Sequence, residues 1–285
     1  MKLIADSGAT KTDWAIVLPG QSSNYTVQNT IGFNPYFIDQ AGIVADITNN
    51  LLPKLTSTNL VEEVYFYGAG CSSADKQQIV LQALKEVFVN ATTIIVSHDL
   101  LGSARALLGK NSGFAAILGT GTNTCIYDGH DCVLNIDSLG YLLGDEGSGA
   151  YIGKKLLAAY LRNQFDDLLK SDFEKEFGAI TTSERITTLY NQQFPNRWLA
   201  AHARFAGKHH QHPFIKQLVS TCFTDFFEQL VSKYPNYKQY QFNCVGSIAA
   251  HFSEELTAVA NTYHMQVGKI IASPIQQLAA YHATV

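Results

Sequence analysis

Two short stretches of small, hydroxylated residues interrupt apolar runs in this chain. Asp6-Ser7-Gly8-Ala9-Thr10-Lys11-Thr12 stands between LIA and DWAIV, and Gly119-Thr120-Gly121-Thr122-Asn123 between FAAIL and TCIYD. Glycine in such a loop permits positive φ and leaves its N–H uncovered, threonine hydroxyls add donors, and consecutive amides form a concavity suited to an anion such as phosphate. Asp6 alone would repel a phosphate. A divalent cation between them removes the conflict, because Mg²⁺ takes one or two carboxylates together with waters and phosphate oxygens. The other reading of the first loop is a plain hairpin in which Asp6 and Thr10 satisfy turn backbone groups. Two matched loops favour a cleft. Neither is a Walker A sequence or a dinucleotide fingerprint, so Lys11 is not the lysine of a P-loop. A third feature, Phe242-Asn243-Cys244-Val245-Gly246-Ser247-Ile248, is an apolar strand meeting a helix. Gly246 would admit a flat ligand and the helix start would offer free amides, although ordinary strand-to-helix turns look the same.

Carboxylates suited to proton transfer occur in two places. Asp99 follows the apolar run TTIIVSH and opens a helical pattern. As a helix cap it would spend its oxygens on the first helical amides; at the carboxyl end of a sheet strand it could instead accept a proton from a substrate hydroxyl. Both roles are not easily filled at once. Asp145 and Glu146 sit among Gly144, Gly147 and Gly149 before another helix. They would interact favourably with the helix dipole, yet the glycines exceed what that needs and point to close approach of a ligand whose hydroxyls face the acids. His202, His209, His210 and His212 lack an accompanying cysteine or acid at metal-ligand spacing and read as a solvated turn between helices. The cysteines, Cys71, Cys125, Cys132, Cys222 and Cys244, are scattered without a C-x-x-C pair, so neither a disulfide framework nor a zinc ribbon is indicated.

The elements that must hold these groups follow from periodicity. KLIAD, DWAIVLP and SNYTVQN read as three antiparallel strands, with Gly20 suited to the second hairpin connection. Helical spacing in IDQAGIVADITNNLLPKL, an apolar run EEVYFYGAG, an amphipathic SADKQQIVLQALKEVF with Ser73 as cap, the β-branched TTIIVS and the helix from Asp99 to Gly109 complete a mixed sheet with crossover helices. After Asn111-Ser112-Gly113 the pattern restarts: FAAIL-GTGTN-TCIYD lies over LIA-DSGAT-KTDWAIV with Gly119 against Asp6, as if one hairpin were used twice. This predicts an N-terminal domain over 1–112 and a C-terminal domain over 113–285, the latter with a helical insertion at about 160–240. The last strand, VGKIIAS, leads to a helix over 274–285 capped by Ser273, which would return to the first domain.

Composition is that of a globular protein, 46% hydrophobic and 15% charged with a net charge of −4, which argues against nucleic acid or an anionic membrane as the main partner. No apolar run approaches the ~20 residues that span a bilayer and the N-terminus does not read as a signal peptide, so the cytoplasm is the expected compartment.

In this order, DSGATKT, Asp99, GTGTN, GDEGSGAYIG and CVGSI resemble the actin/hexokinase/Hsp70 ATPase superfamily, and within it the BadF/BadG/BcrA/BcrD group that includes N-acetylglucosamine kinases. The resemblance runs from residue 6 to residue 248. It implies an α/β chain of two ribonuclease-H-like domains, each a mixed five-stranded sheet with flanking helices, closing on ATP, Mg²⁺ and a sugar. Carried over by position, Asp6 resembles the carboxylate that holds Mg²⁺. Ser7, Gly8, Ala9, Thr10, Lys11 and Thr12 resemble the first phosphate loop, Gly119, Thr120 and Gly121 the second, and Gly246 with Ser247 the adenosine motif. Asp99 is similar to the general base. Asn34 in GFNP, Thr122, Asn123, Asp145 and Glu146 fall where sugar hydroxyls are held. The implied activity is ATP-dependent phosphorylation of an amino sugar, and the implied assembly a homodimer. Ser7 departs from the family's glycine and Thr122 from its usual serine. The cysteines of a ROK-type zinc site are absent. Two further readings stay open: an iron–sulfur ATPase activator of 2-hydroxyacyl-CoA dehydratases, whose ligands Cys125 and Cys132 do not reproduce, and a non-catalytic sensor of ATP or sugar.

Overall fold

The computed structural model describes residues 1–18, 25–179 and 181–283. Gly20, the first residues of SNYTVQN and the last two residues of the chain lie outside that range. Contacts divide the chain into two compact units, one of Met1–Ala115, Cys125–Leu134 and the segment from Ser273 on, the other of Ala116–Thr124 and Asn135–Ala272.

In the first half β1 (Lys2–Ser7), β2 (Lys11–Val17), β3 (Tyr25–Ile31), β4 (Glu63–Gly68) and β5 (Thr93–His98) form a five-stranded sheet in the order β3-β2-β1-β4-β5. β1 pairs antiparallel with β2 and parallel with β4, and β4 parallel with β5. In the second half β6 (Gly113–Leu118), β7 (Thr122–Tyr127), β8 (Cys132–Asn135), β9 (Phe242–Val245) and β10 (Val267–Ile271) form a five-stranded sheet in the order β10-β9-β6-β7-β8. Read from the other edge this is the same order, with the first strand of each half between its second and its fourth. The repeated loops therefore occupy equivalent turns, β1 to β2 and β6 to β7.

Side chains alternate across a strand, and the first sheet divides its chemistry accordingly. One face carries Leu3, Ala5, Trp14, Ile16, Val64 and Phe66, packed with Ile43, Val80, Ala83 and Leu84 of the helices Gln40–Asp46 and Ala74–Val87. Trp14 anchors it against Phe33 and Phe66, with ring centroids 6.3 and 6.1 Å away. The opposite set includes Asp6, Asp13 and Tyr67, which pair across β1, β2 and β4 in one row. The helices Asp99–Leu108 and Ile275–Ala283 pack together and against strands of this sheet.

Local signals place most helix ends. His98 caps the helix Asp99–Leu108 and Gly109, at φ +63°, ends it; Ser148 caps Gly149–Leu161 through the Tyr151 amide. Ser73 precedes Ala74–Val87 as expected, but its hydroxyl donates to Asp75 instead of accepting from an amide. The pattern after Asp39 gives an α-helix only to Asp46, followed by a π turn over Ile47–Leu51 and a 3₁₀ turn at Pro53. Proline has no N–H to continue the ladder. Among the described residues no helix is long and apolar enough to cross a membrane.

Candidate active site

At the carboxyl ends of the parallel strands of the first sheet, Ser7, Gly68 and His98 stand side by side in register. Such strand ends are where open α/β sheets bind ligands. Asp6 lies one residue inside this edge and Asp99 one residue beyond it. Burial pushes the Asp6 carboxyl up to about 7, and the charges of Asp99 and Asp13 add to that, partly offset by Lys11. Asp99 is likewise raised, chiefly by burial. Asp13 is already engaged: Lys11 Nζ lies 2.8 Å from its Oδ2, and Asn29 Nδ2 donates to its Oδ1. The edge thus concentrates more negative charge than its protein partners offset, with Asp6 half-buried and available. Among the described residues no cluster of three or more metal-ligating side chains forms a cage. Asp6 is the carboxylate at this edge that could hold a divalent cation such as Mg²⁺, which needs few carboxylates when waters and phosphate complete its shell.

His98 resolves the competition over Asp99. Its Nδ1 accepts from the Leu101 amide at 3.1 Å and so supplies the cap, while Asp99 Oδ1 accepts from Leu100 N at 2.9 Å. The carboxylate at the first helical position is not consumed in capping.

The β1–β2 loop is built differently from the sequence expectation. Ser7 and Thr12 are fully buried (0% exposed) and directed inward: Thr12 Oγ1 donates to Ile31 O at 2.8 Å, Ser7 Oγ shares a 2.8 Å bond with Thr12 Oγ1 and accepts from Phe33 N at 3.0 Å. These two hydroxyls brace the loop through protein partners. The Gly8 N–H closes the turn on Lys11 O at 3.0 Å, and the φ of Gly8 is not positive. Ala9, Thr10 and Lys11 remain as the outer surface of the loop. Asn34 follows Phe33; its Oδ1 accepts from Tyr36 N at 3.0 Å, so its NH₂ is what it can offer a ligand.

In the second unit the Gly119–Thr122 loop is fastened to the segment Asp145–Ala150. Gly149 N donates to Gly119 O at 2.8 Å and Ala150 N to Thr120 O at 3.1 Å. Thr122 N donates to Asp145 Oδ1 at 3.0 Å, and Thr122 Oγ1 to Glu146 O at 2.7 Å. Thr122 is buried, and its hydroxyl also supports the loop. Asp145 has a left-handed backbone, φ +58°, and its carboxyl is raised by burial against the pull of the Thr122 amide. Asn123 Oδ1 accepts from Asn135 Nδ2 at 2.9 Å and from Thr124 N at 3.0 Å. Gly246, at φ +134°, lies so close to β6 that a Cβ there would stand 2.1 Å from Leu118 O. Beside it Ser247 is exposed at the start of a short helix, and Gly119 has open space where a side chain would be.

Over 100% of this chain and 99% of the other, at 36% identity, the structure matches a "Putative N-acetylglucosamine Kinase" from Porphyromonas gingivalis with a TM-score of 0.94. The chain belongs to the N-acetylglucosamine kinase-like family. A second "Putative N-acetylglucosamine Kinase", from Chromobacterium violaceum, matches at 14% identity with a TM-score of 0.71, covering 98% of both chains. A ROK family glucokinase from Streptomyces griseus, solved with glucose and AMPPNP, matches at 10% identity with a TM-score of 0.53 over 99% of this chain and 97% of its own. These two share the fold. No protein-family model matches the chain, and no curated protein does.

For a member of this family, sequence reasoning missed three residues that shape the first unit's edge. Gly32 closes over the first loop: its N–H donates to Thr10 O at 3.1 Å, and a Cβ there would stand 2.4 Å from Gly8 O. The glycine before Phe33 and Asn34 was a visible signal. His98, next to Asp99, takes the cap. Tyr67 pairs with Asp6, a relation only the register reveals. The histidine group is also corrected in part: His202 is buried, stacked on Phe177 at 4.5 Å, while His212 caps its helix and lies 2.8 Å from Asp166.

Proposed function

We propose that the protein is an ATP-dependent sugar kinase that phosphorylates a hydroxyl of an N-acetylhexosamine, with N-acetylglucosamine the first candidate and Asp99 the general base. The observation that carries this reading is the division of labour at the first sheet's edge, where His98 caps the helix and leaves the Asp99 carboxylate free, in the electrostatic reach of Asp6. Family membership supports the rest.

Phosphoryl transfer asks little covalent chemistry of a protein; it asks for positioning and for charge at the phosphoryl oxygens. Asp99 would accept the proton of the sugar hydroxyl as it attacks, and its burial-raised pKa brings it nearer the operating pH of a general base. Ala9, Thr10 and Lys11 on one loop and Gly119, Thr120 and Gly121 on the other would receive the phosphates, with Gly246 and Ser247 at the adenosine. Asn34 and Asn123 would donate, and Asp145 and Glu146 accept, at sugar hydroxyls. Mg²⁺ held through Asp6 would supply charge compensation at the phosphates. A cytoplasmic location and a homodimeric state belong to the same reading.

The test is a coupled ADP-release assay with N-acetylglucosamine, N-acetylmuramic acid, glucosamine and glucose, beside a no-sugar control. Sugar-dependent ADP release, highest with an N-acetylated sugar, is expected. Asp99→Asn should lower kcat by roughly 10²–10⁴-fold with ATP affinity retained. Near-normal turnover in that variant removes Asp99 as the base, and equal ADP release without sugar removes the kinase reading.

A further inference from the structure

Behind the strand edge, buried and out of reach of substrate, lies a seat for the helix that begins at Asp99. Tyr67 is 1% exposed. Along β4 it is the register partner of Asp6 on β1 and of Ser97 on β5, immediately before the strand end. The helix Asp99–Leu108 packs on it: a Cβ on Gly102 would stand 2.7 Å from Tyr67 Cγ, so the helix meets the Tyr67 side chain at a residue that has none. One turn later Arg105 Nη1 donates to the Tyr67 hydroxyl at 2.8 Å, and Arg105 Nη2 to His130 O at 3.3 Å. The hydroxyl also lies 2.8 Å from His282 Nε2 on the C-terminal helix. The phenol oxygen accepts from Arg105 and shares a second hydrogen bond with the His282 imidazole.

We infer that Tyr67 is a positioning residue for catalysis, setting where Asp99 stands relative to Asp6 by fixing the height and tilt of the helix on β4. The inference rests on the reading of Asp99 as base given above. Three observations carry it together. Tyr67 sits in the same row as Asp6, so it shares that strand's frame. Its ring meets the helix at Gly102, one turn from Asp99, where a small lift passes to the carboxylate almost undiminished. Its hydroxyl ties the helix at Arg105, nearly two turns from Asp99, which resists tilt. A helix is stiff over this length, at ~1.5 Å per residue, and a misplacement of ~1 Å in a reacting group can cost ~10²-fold in rate.

Two variants test the inference in the full-length protein. Tyr67→Phe keeps the ring and removes both hydroxyl bonds; Gly102→Ala adds a methyl against the ring. We expect kcat to fall about tenfold in the first and about 10²-fold in the second, with KM for ATP within about twofold of wild type in both. That split separates positioning from plain stability, because a purely structural residue lowers the melting temperature and the folded fraction while the folded fraction keeps its kcat. If Tyr67→Phe melts lower yet turns over within about twofold of wild type per folded molecule, the inference is overturned. Should Gly102→Ala fail to fold, Tyr67→Phe decides alone. Asp99→Asn, run in parallel, separates the two readings: slow turnover there with unaffected Tyr67→Phe sinks the positioning role only, whereas fast turnover in Asp99→Asn sinks the base and with it the inference.

Discussion

His282 gives a prediction that tests the packing of the C-terminal helix without any assumption about substrate. Its imidazole is 2% exposed and stacks on Tyr65 with ring centroids 3.9 Å apart. It faces the hydroxyl of Tyr67, while the neighbouring charges are those of Arg105 and Lys2, the latter donating to His282 O at 2.7 Å. Nδ1 is buried with no hydrogen-bond partner. Burial, with Arg105 and Lys2 adding to it, holds the group down at about 3 from an ordinary 6.5. The unfolded chain therefore takes up a proton near pH 6.5 that the folded protein refuses until about pH 3. Stability from this residue is complete above the unfolded value and is lost as pH falls, by ~1.4 kcal/mol per pH unit. Two units below the unfolded value, at about pH 4.5, the loss is ~2.7 kcal/mol. His282→Gln keeps an acceptor for the Tyr67 hydroxyl and cannot be protonated. Near pH 7.5 it should be less stable than wild type by about 1 kcal/mol, for the lost ring contact. Near pH 4.5 the order should reverse, with the variant ahead by about 1.5–2 kcal/mol. Urea unfolding of both proteins at a series of pH values measures this, and the difference between them cancels other titrating groups, Asp6 included. A difference that stays constant from about pH 7.5 to about pH 4.5 refutes the argument.

Gly246→Ala would place a methyl 2.1 Å from Leu118 O at a φ of +134°. The strain and the overlap together should cost about 2–4 kcal/mol, and because Leu118 leads into the second loop, KM for ATP should rise; denaturation and initial-rate kinetics check the two separately. His98→Ala removes the acceptor for the Leu101 amide and should cost ~1 kcal/mol. It should also lower kcat, because Asp99 then becomes the nearest carboxylate for the uncapped amides; unchanged kcat at a lowered melting temperature would show that Asp99 does not depend on the histidine cap.

Much of this molecule follows from local pattern. Short continuous apolar runs in LIAD and DWAIV, and again in FAAIL and TCIYD, read as buried strands on either side of a turn, and the second pair repeats the first because each half builds the same sheet order. Helix punctuation is equally local: Gly109 ends its helix with a positive φ, and Ser148 reaches an amide three residues on. The strand-end position of Asp99 and the crowding of glycines around Asp145 were legible for the same reason.

What sequence could not supply is the direction and partner of each polar group. Ser7, Thr12 and Thr122 look like ligand hydroxyls in one dimension, yet each is turned inward by a strand or segment distant in the chain: Ile31 and Phe33 for the first two, Glu146 for the third. The choice between His98 and Asp99 as cap depends on side-chain geometry that spacing does not encode. Period-two alternation says that Asp6 and Ala5 face opposite sides of the sheet, but not that Tyr67 from β4 will lie beside Asp6, nor that Gly102, Arg105 and His282 will meet on its ring and hydroxyl. Those contacts join residues far apart in sequence and exist only once strands have paired in one register and the last helix has packed against the sheet. The chain by itself determined which elements form and which residues could do chemistry. Tertiary structure decided which of them are left free to do it, because a buried polar group must be satisfied by whatever the fold brings within reach.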